Sequence, residues 1–188
     1  MNENYINNLI EKLNLSEKIT LEDIPEIDLY MDQVIQLFER KFSNNVRNNE
    51  EKVLTKTMIN NYAKGKLFMP IKNKKYSKEN LILISLIYQL KGFLSIKDIK
   101  TTLHTMVERC ESSDSNGLRE MYDSYLSLYD MKIKEFESYI EKDIKDVEEE
   151  LDKKNLSGEY EEKLLMILSI VTMSNMYRRL AEKIIDDL

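Results

Sequence analysis

Glycine and proline are scarce, four and two among 188 residues. A doubly wound α/β enzyme needs glycine-rich loops that wrap phosphate groups, and so thin a supply argues against one. The single cysteine, Cys110, excludes an intramolecular disulfide framework. Nothing in the composition calls for an oxidising compartment, and a cytoplasmic location is expected. The one histidine, His104, and Cys110 together supply too few ligands for a soft-metal centre, so no metal is expected. The opening residues, Met1-Asn2-Glu3-Asn4-Tyr5, lack the basic and apolar regions of a secretory leader. The longest apolar-rich run, Leu164 to Met173, is about half of the roughly 20 residues that span a bilayer, and it reads as a buried helix. Nucleophile-elbow, P-loop and zinc-protease patterns are missing. Neighbouring acids such as Glu148-Glu149-Glu150 and Asp186-Asp187 do not face each other on a helix and read as solvated surface. Neither enzymatic activity nor a cofactor is expected.

What is present is helix-forming: 42% hydrophobic and 33% charged residues, patterned for helices joined by short connections. The formal net charge of −6 is unevenly spread. Residues 1–54 carry 6 basic and 11 acidic side chains, residues 55–104 carry 10 and 2, and residues 105–188 carry 12 and 21. Between Glu51 and Glu79 stand eight lysines (52, 56, 64, 66, 72, 74, 75 and 78) and no acid. A polyanion is attracted to that segment and repelled by the rest. The competing reading is a solvated lysine face, although helical surfaces usually intersperse both signs.

Apolar spacing predicts an amphipathic helix over residues 3–14 through Tyr5, Ile6, Leu9, Ile10 and Leu13. Thr20-Leu-Glu-Asp23 has the form of a capping box, cut short by Pro25. A helix follows over about 28–42, and the polar stretch Ser43 to Asn49 ends it. Thr55 is an N-cap for a helix from Lys56 to about Lys64, with Gly65 as its stop. That helix turns Met58, Ile59 and Tyr62 inward and leaves Lys56, Thr57, Asn60, Asn61 and Lys64 outward. Ile71 to Tyr76 is a basic wing or extended turn. Ser77 caps a helix whose run Leu81 to Leu90 is apolar nearly all round and belongs in mid-core. Ser95 opens a helix to about Val107, and residues 111–117 form a linker. Beyond it, Leu118, Tyr122, Tyr125, Tyr129, Ile133, Phe136 and Ile140 begin one long stripe that continues to Leu151, and a helix over about 159–187 returns.

The order of pieces around the basic segment resembles the DNA-binding domain of MerR-type regulators. The likeness rests on Thr55-Lys-Thr-Met-Ile-Asn-Asn-Tyr62, Leu67-Phe-Met-Pro70, Lys72 to Lys75, Tyr76-Ser-Lys-Glu-Asn-Leu81 and Gly92-Phe-Leu-Ser-Ile-Lys-Asp-Ile-Lys100. The chain is similar, over most of its length after residue 20, to a bacterial domain-of-unknown-function family regarded as MerR-like. There the matching stretches include Ile24-Pro-Glu-Ile-Asp-Leu-Tyr-Met-Asp-Gln-Val34 and a closing helix, Leu180 to Asp186. Two departures stand out: Asn60 occupies the place of the recognition-helix arginine, and the Gly-Tyr-Arg step before Tyr76 is missing.

The resemblance implies an all-α, winged helix-turn-helix fold. Its expected parts are an N-terminal helix (1–19), a DNA-binding domain (20–110), the linker (111–117) and a helical hairpin (118–188). It also implies sequence-specific binding of double-stranded DNA by a transcriptional regulator. The expected DNA-contacting residues are Thr55, Lys56, Thr57, Asn60, Asn61, Lys64, Lys66, Lys72, Lys74, Lys75 and Tyr76, with the two asparagines as base readers and the lysines on phosphates. A homodimer is expected through Leu118, Tyr122, Tyr125, Tyr129, Ile133, Phe136 and Ile140. Six tyrosines in the C-terminal region (122, 125, 129, 139, 160 and 177) raise the further possibility of a pocket for a small effector, otherwise core or interface. The alternative is a protein-interaction module whose basic face docks an acidic partner. No membrane association is expected.

Overall fold

The structure, a computed structural model, describes residues 3–48, 50–112 and 116–188. It divides into two compact units, one of Glu17–Ser127 with Ile184–Leu188, the other of Met1–Ser16 with Leu128–Lys183. Among the described residues the chain is mainly helical: α1 (Glu3–Lys12), α2 (Met31–Phe42), α3 (Lys56–Gly65), α4 (Lys78–Leu90), α5 (Ile96–Glu111), α6 (Asn116–Lys154) and α7 (Glu159–Asp186). A ribbon of two residues per strand, β1 (Leu29–Tyr30) and β2 (Lys75–Tyr76), qualifies the all-helical expectation.

In the larger unit α4 is the central element. Its eight residues Asn80 to Ile87 are all buried, as the apolar run predicts. Val34 and Phe38 of α2, Ile59 of α3 and Ile99 of α5 join the same core. The rings of Phe42 and Tyr88 stack with centroids 4.6 Å apart, which fastens the end of α2 to α4. Each such large side chain contributes about 1.5–3 kcal/mol on leaving water.

The helix starts are set by local chemistry. Thr55 Oγ1 accepts the Met58 N–H at 3.1 Å, Ser77 Oγ accepts that of Asn80 at 3.3 Å, and Ser95 Oγ accepts that of Asp98 at 3.1 Å. Each satisfies an amide the helix leaves without a partner. At Thr20 and Asp23 the reciprocal bonds of a capping box also form, at 2.9 and 3.3 Å, yet no helix propagates. Pro25 forbids it two residues on, so the box closes a single turn.

The expected linker is shortened from both sides. Helix α5 runs past Val107 to Glu111 and α6 begins at Asn116; residues 113–115 of the linker lie outside the described residues. Residues 118–127 of α6 belong to the larger unit, because Leu118, Tyr122 and Leu126 complete its core. The Tyr122 hydroxyl donates to the Ile19 carbonyl at 2.6 Å, and burial pushes its pKa up to about 12.

In the smaller unit Ile140, Ile144, Val147 and Leu151 of α6 pack with Ile6 of α1 and Met166 of α7. Of the α1 stripe only Ile6 is buried, with Ile10 packed against this cluster, while Tyr5, Leu9 and Leu13 stay exposed. Asn155, at φ 52°, turns the chain between α6 and α7.

Two expectations are corrected here. Of the α6 stripe assigned to dimer formation, Leu118, Tyr122 and Ile140 are buried within the chain and so face no second copy, whereas Tyr125, Tyr129, Ile133 and Phe136 are half-buried. Leu118 and Tyr122 fill the core of the larger unit, and Ile140 meets α1 and α7 in the smaller one. The run Leu164 to Met173, expected to be buried, is largely exposed, with Met166 its one buried residue.

Candidate nucleic-acid interface

Helix α3 is held from beneath. Val53 and Leu54 are buried just ahead of its cap, Ile59 and Tyr62 are buried on its inner face, and Met58 is half-buried. Lys91, partly buried, donates from Nζ to the Val53 carbonyl at 2.9 Å and lies 4.3 Å from the Tyr88 ring centroid. Loss of water around its ammonium lowers the Lys91 pKa. With its inner face fixed, α3 presents Lys56, Thr57, Asn60, Asn61 and Lys64 outward, and all five are exposed. Thr55 is committed to the cap and half-buried.

The helix stops one residue later than its glycine suggests. Gly65 is still helical, and the left-handed C-cap is Lys66, at φ 56° and ψ 45°, whose N–H returns to the Ala63 carbonyl at 3.0 Å. Leu67 and Phe68 then enter the core and pull the chain inward before it re-emerges at Pro70.

Residues 72–75 make a tight hairpin turn in which the Lys75 N–H donates to the Lys72 carbonyl at 2.9 Å. Both central residues, Asn73 at φ 50° and Lys74 at φ 61°, are left-handed, the signature of a primed two-residue turn. Asparagine tolerates this conformation; a lysine pays about 1 kcal/mol for it. The turn exposes Lys72, Asn73 and Lys74 and leads into β2, where Lys75 pairs with Tyr30 and Tyr76 with Leu29. Alternation along β2 decides the next residue: Tyr76, expected to touch DNA, points inward at 1% exposure, its ring 5.9 Å from that of Phe68.

Two contacts tie α3 and the turn to the same short step of chain. Lys56 Nζ is 2.8 Å from Asp32 Oδ1, and Lys75 Nζ is 5.1 Å from the centroid of the Tyr30 ring. The first turn of α3 and the base of the basic turn therefore both meet the three-residue step Tyr30 to Asp32. Sequence reading missed Tyr30, Asp32 and Lys91, since their partners lie tens of residues away and no local pattern marks them.

The lysines are not equivalent. Lys78 is nearly buried and bound to Glu26, so it is spent on the fold. Lys56 and Asp32 are both well exposed, and a pair of that kind is worth only about 0–1 kcal/mol, little enough for a stronger anion to displace it. At the start of α4, Arg119 Nε donates to Glu79 Oε1 at 3.0 Å. Burial works against the Glu79 carboxylate, but the hydrogen bonds it receives from Arg119, from its own backbone N–H and from Ser77, with the Arg119 charge, together outweigh it and hold its pKa below the ordinary range. A cleft of about 680 Å³ beside the turn is lined by Lys72, Lys75, Asp28 and Glu79 among others, so its charge is mixed.

Other candidates are dispersed. His104 lies 3.3 Å from Glu108 on the outside of α5, whereas Cys110 packs partly against the core. Tyr122 and Tyr125 lie 6.0 Å apart, while Tyr139, Tyr160 and Tyr177 are exposed. Among the described residues no group of three or more His, Cys, Asp or Glu is placed to hold a metal, and no helix is long and apolar enough to cross a membrane.

No curated protein and no solved structure matches this chain. A family model does, over residues 19–125, which is more than half of the sequence and nearly the whole span Glu17–Ser127. The matched region ends before α7, so the likeness drawn at Leu180 to Asp186 falls outside it. Over the stretch that builds the α3 face and the basic turn, the chain belongs to the family of the domain of unknown function DUF1836.

Proposed function

We propose that this chain binds double-stranded DNA as a transcriptional regulator, with α2 and α3 acting as a helix-turn-helix of the MerR kind and residues 72–75 as a reduced wing. The observation that carries the reading is that a lysine of α3 and a lysine of the basic turn both reach the step Tyr30 to Asp32. Lys56 and Lys64 of α3 and Lys72 and Lys74 of the turn are all exposed, two groups of cations on elements that reach the same step. The exposed face of α3 has the composition a major groove requires. Asn60 and Asn61 offer amides that pair with adenine edges, and Lys56, Thr57 and Lys64 flank them for phosphates. Lys66, Lys72, Lys74 and Lys75 add sequence-independent affinity through counterion release. Tyr76 has no part, being in the core, and Thr55 acts through its cap. One such face makes few contacts, so useful specificity calls for two copies on paired half-sites. No catalytic step belongs to this reading.

Selection of genomic duplex fragments on the immobilised chain, followed by titration of the best fragment at several salt concentrations, tests it. Binding is expected to weaken steeply with salt. The triple variant Lys72→Glu, Lys74→Glu and Lys75→Glu should bind far more weakly and lower the log–log salt slope by roughly 2–3. Asn60→Ala with Asn61→Ala should instead reduce discrimination between fragments and leave that slope unchanged. Equal retention by the triple lysine variant and the native chain overturns the assignment.

A further inference from the structure

Helix α7 packs in the smaller unit through one side only. Met166 is buried with Ile140 and Ile144, Leu165 is packed against them, and Ser169 Oγ lies 3.2 Å from Asp143 Oδ2. The opposite side carries a second apolar stripe: Tyr160, Leu164, Ile167 and Val171 are between 39% and 71% exposed. Leu168 and Ile170 flank it, also exposed. These six side chains leave apolar surface on the order of 600 Å², more than an isolated hydrophobe explains and near the roughly 800 Å² that each partner gives to a standard interface.

We propose that this face of α7 is where two copies of the chain meet, as an antiparallel helix pair centred on Ser169. The spacing itself favours a second copy. The seam Tyr160, Leu164, Ile167, Val171, Ser174 and Arg178 steps by 4, 3, 4, 3 and 4 residues, which reads the same in both directions. An identical helix running the other way therefore presents the same seam in register, the self-complementarity a two-fold interface demands. Charge selects the direction. The start of α7 holds Glu159, Glu161 and Glu162, of which Glu159 is bound to Lys163, no charged residue occurs from Leu164 to Tyr177, and Arg178 and Arg179 follow. Antiparallel pairing sets the arginines of one copy beside the acids and Tyr160 of the other, whereas parallel pairing stacks acid on acid. Ile167 then meets Val171 across the axis, and Leu164 meets the small Ser174.

The inference locates the dimer invoked above but uses no property of the basic face, and its test contains no nucleic acid, so either can fail alone. Sedimentation of the full chain should give a dimer at micromolar concentration. Ile167→Glu with Val171→Glu should raise the dissociation constant about tenfold or more with helical content unchanged, since neither side chain faces the Met166 side. Cysteine pairing in a Cys110→Ser background checks geometry without disturbing the seam: Tyr160→Cys chains should cross-link to Arg178→Cys chains and not to one another. A native chain that stays monomeric, a dimer untouched by the two glutamates, or cross-linking of Tyr160→Cys to itself each overturns the proposal.

Discussion

Helices α4 and α7 carry apolar runs of nearly equal length, Leu81 to Leu90 and Leu164 to Met173, and the fold treats them in opposite ways. In α4 every residue from Asn80 to Ile87 is buried, because other helices of the larger unit pack on more than one of its sides. In α7 one side meets α6 and α1, and the rest of the run faces outward. Hydrophobicity along a helix states how much surface must be covered. It does not state whether the cover comes from the same chain, and in α7 the palindromic seam is the part that the chain leaves open.

The comparison breaks most visibly at matched truncations. Ile84→Ala in α4 should cost about 2–5 kcal/mol in denaturant unfolding, through lost burial and a cavity. Ile167→Ala in α7, measured where the chain is dilute enough to be monomeric, should stay within about 0.5 kcal/mol. Equal losses at the two positions would show that the two runs are covered alike.

Smaller effects sharpen the account of the larger unit. Tyr122→Phe removes the bond to the Ile19 carbonyl and leaves that acceptor without it, at a cost of about 1–2 kcal/mol. Because burial raises the Tyr122 pKa to about 12, its contribution is complete below the ordinary value near 10 and fades as pH climbs from there. Absorbance titration should show one late tyrosine step that the Phe variant lacks. Glu79→Gln should cost about 1 kcal/mol, given the partial exposure of Arg119. The Glu79 pKa is lowered, so this contribution is present above its ordinary value of 4.5 and is lost as pH falls below it. Melting curves of wild type and variant should converge in acid. Least of all, Lys56→Met breaks an exposed pair and should shift unfolding by no more than about 0.5 kcal/mol.

Much of the α3 face was legible without coordinates, since its signals are local. Thr55, Ser77 and Ser95 declare helix starts, and the spacing of Met58, Ile59 and Tyr62 fixes which side of α3 looks out. What escaped depends on contacts distant in sequence or on torsions that no residue type enforces. The ribbon joins Leu29 to Tyr76, residues far apart in sequence, and without it Tyr76 looks like a surface residue of a basic wing. Gly65 advertised a left-handed stop that falls on Lys66. The long stripe of α6 read as one continuous face, although Leu118 and Tyr122 serve one core while Ile144 and Leu151 serve another.

Left-handed backbone at Lys66 and Lys74 has one more consequence. Glycine is the residue such torsions favour, so replacing either lysine with glycine should make the chain easier to fold while stripping an ammonium from the surface proposed to meet DNA. At these two positions robustness and positive charge pull against each other, and if the proposed DNA binding holds, a variant hardened against heat there is expected to bind duplex more weakly.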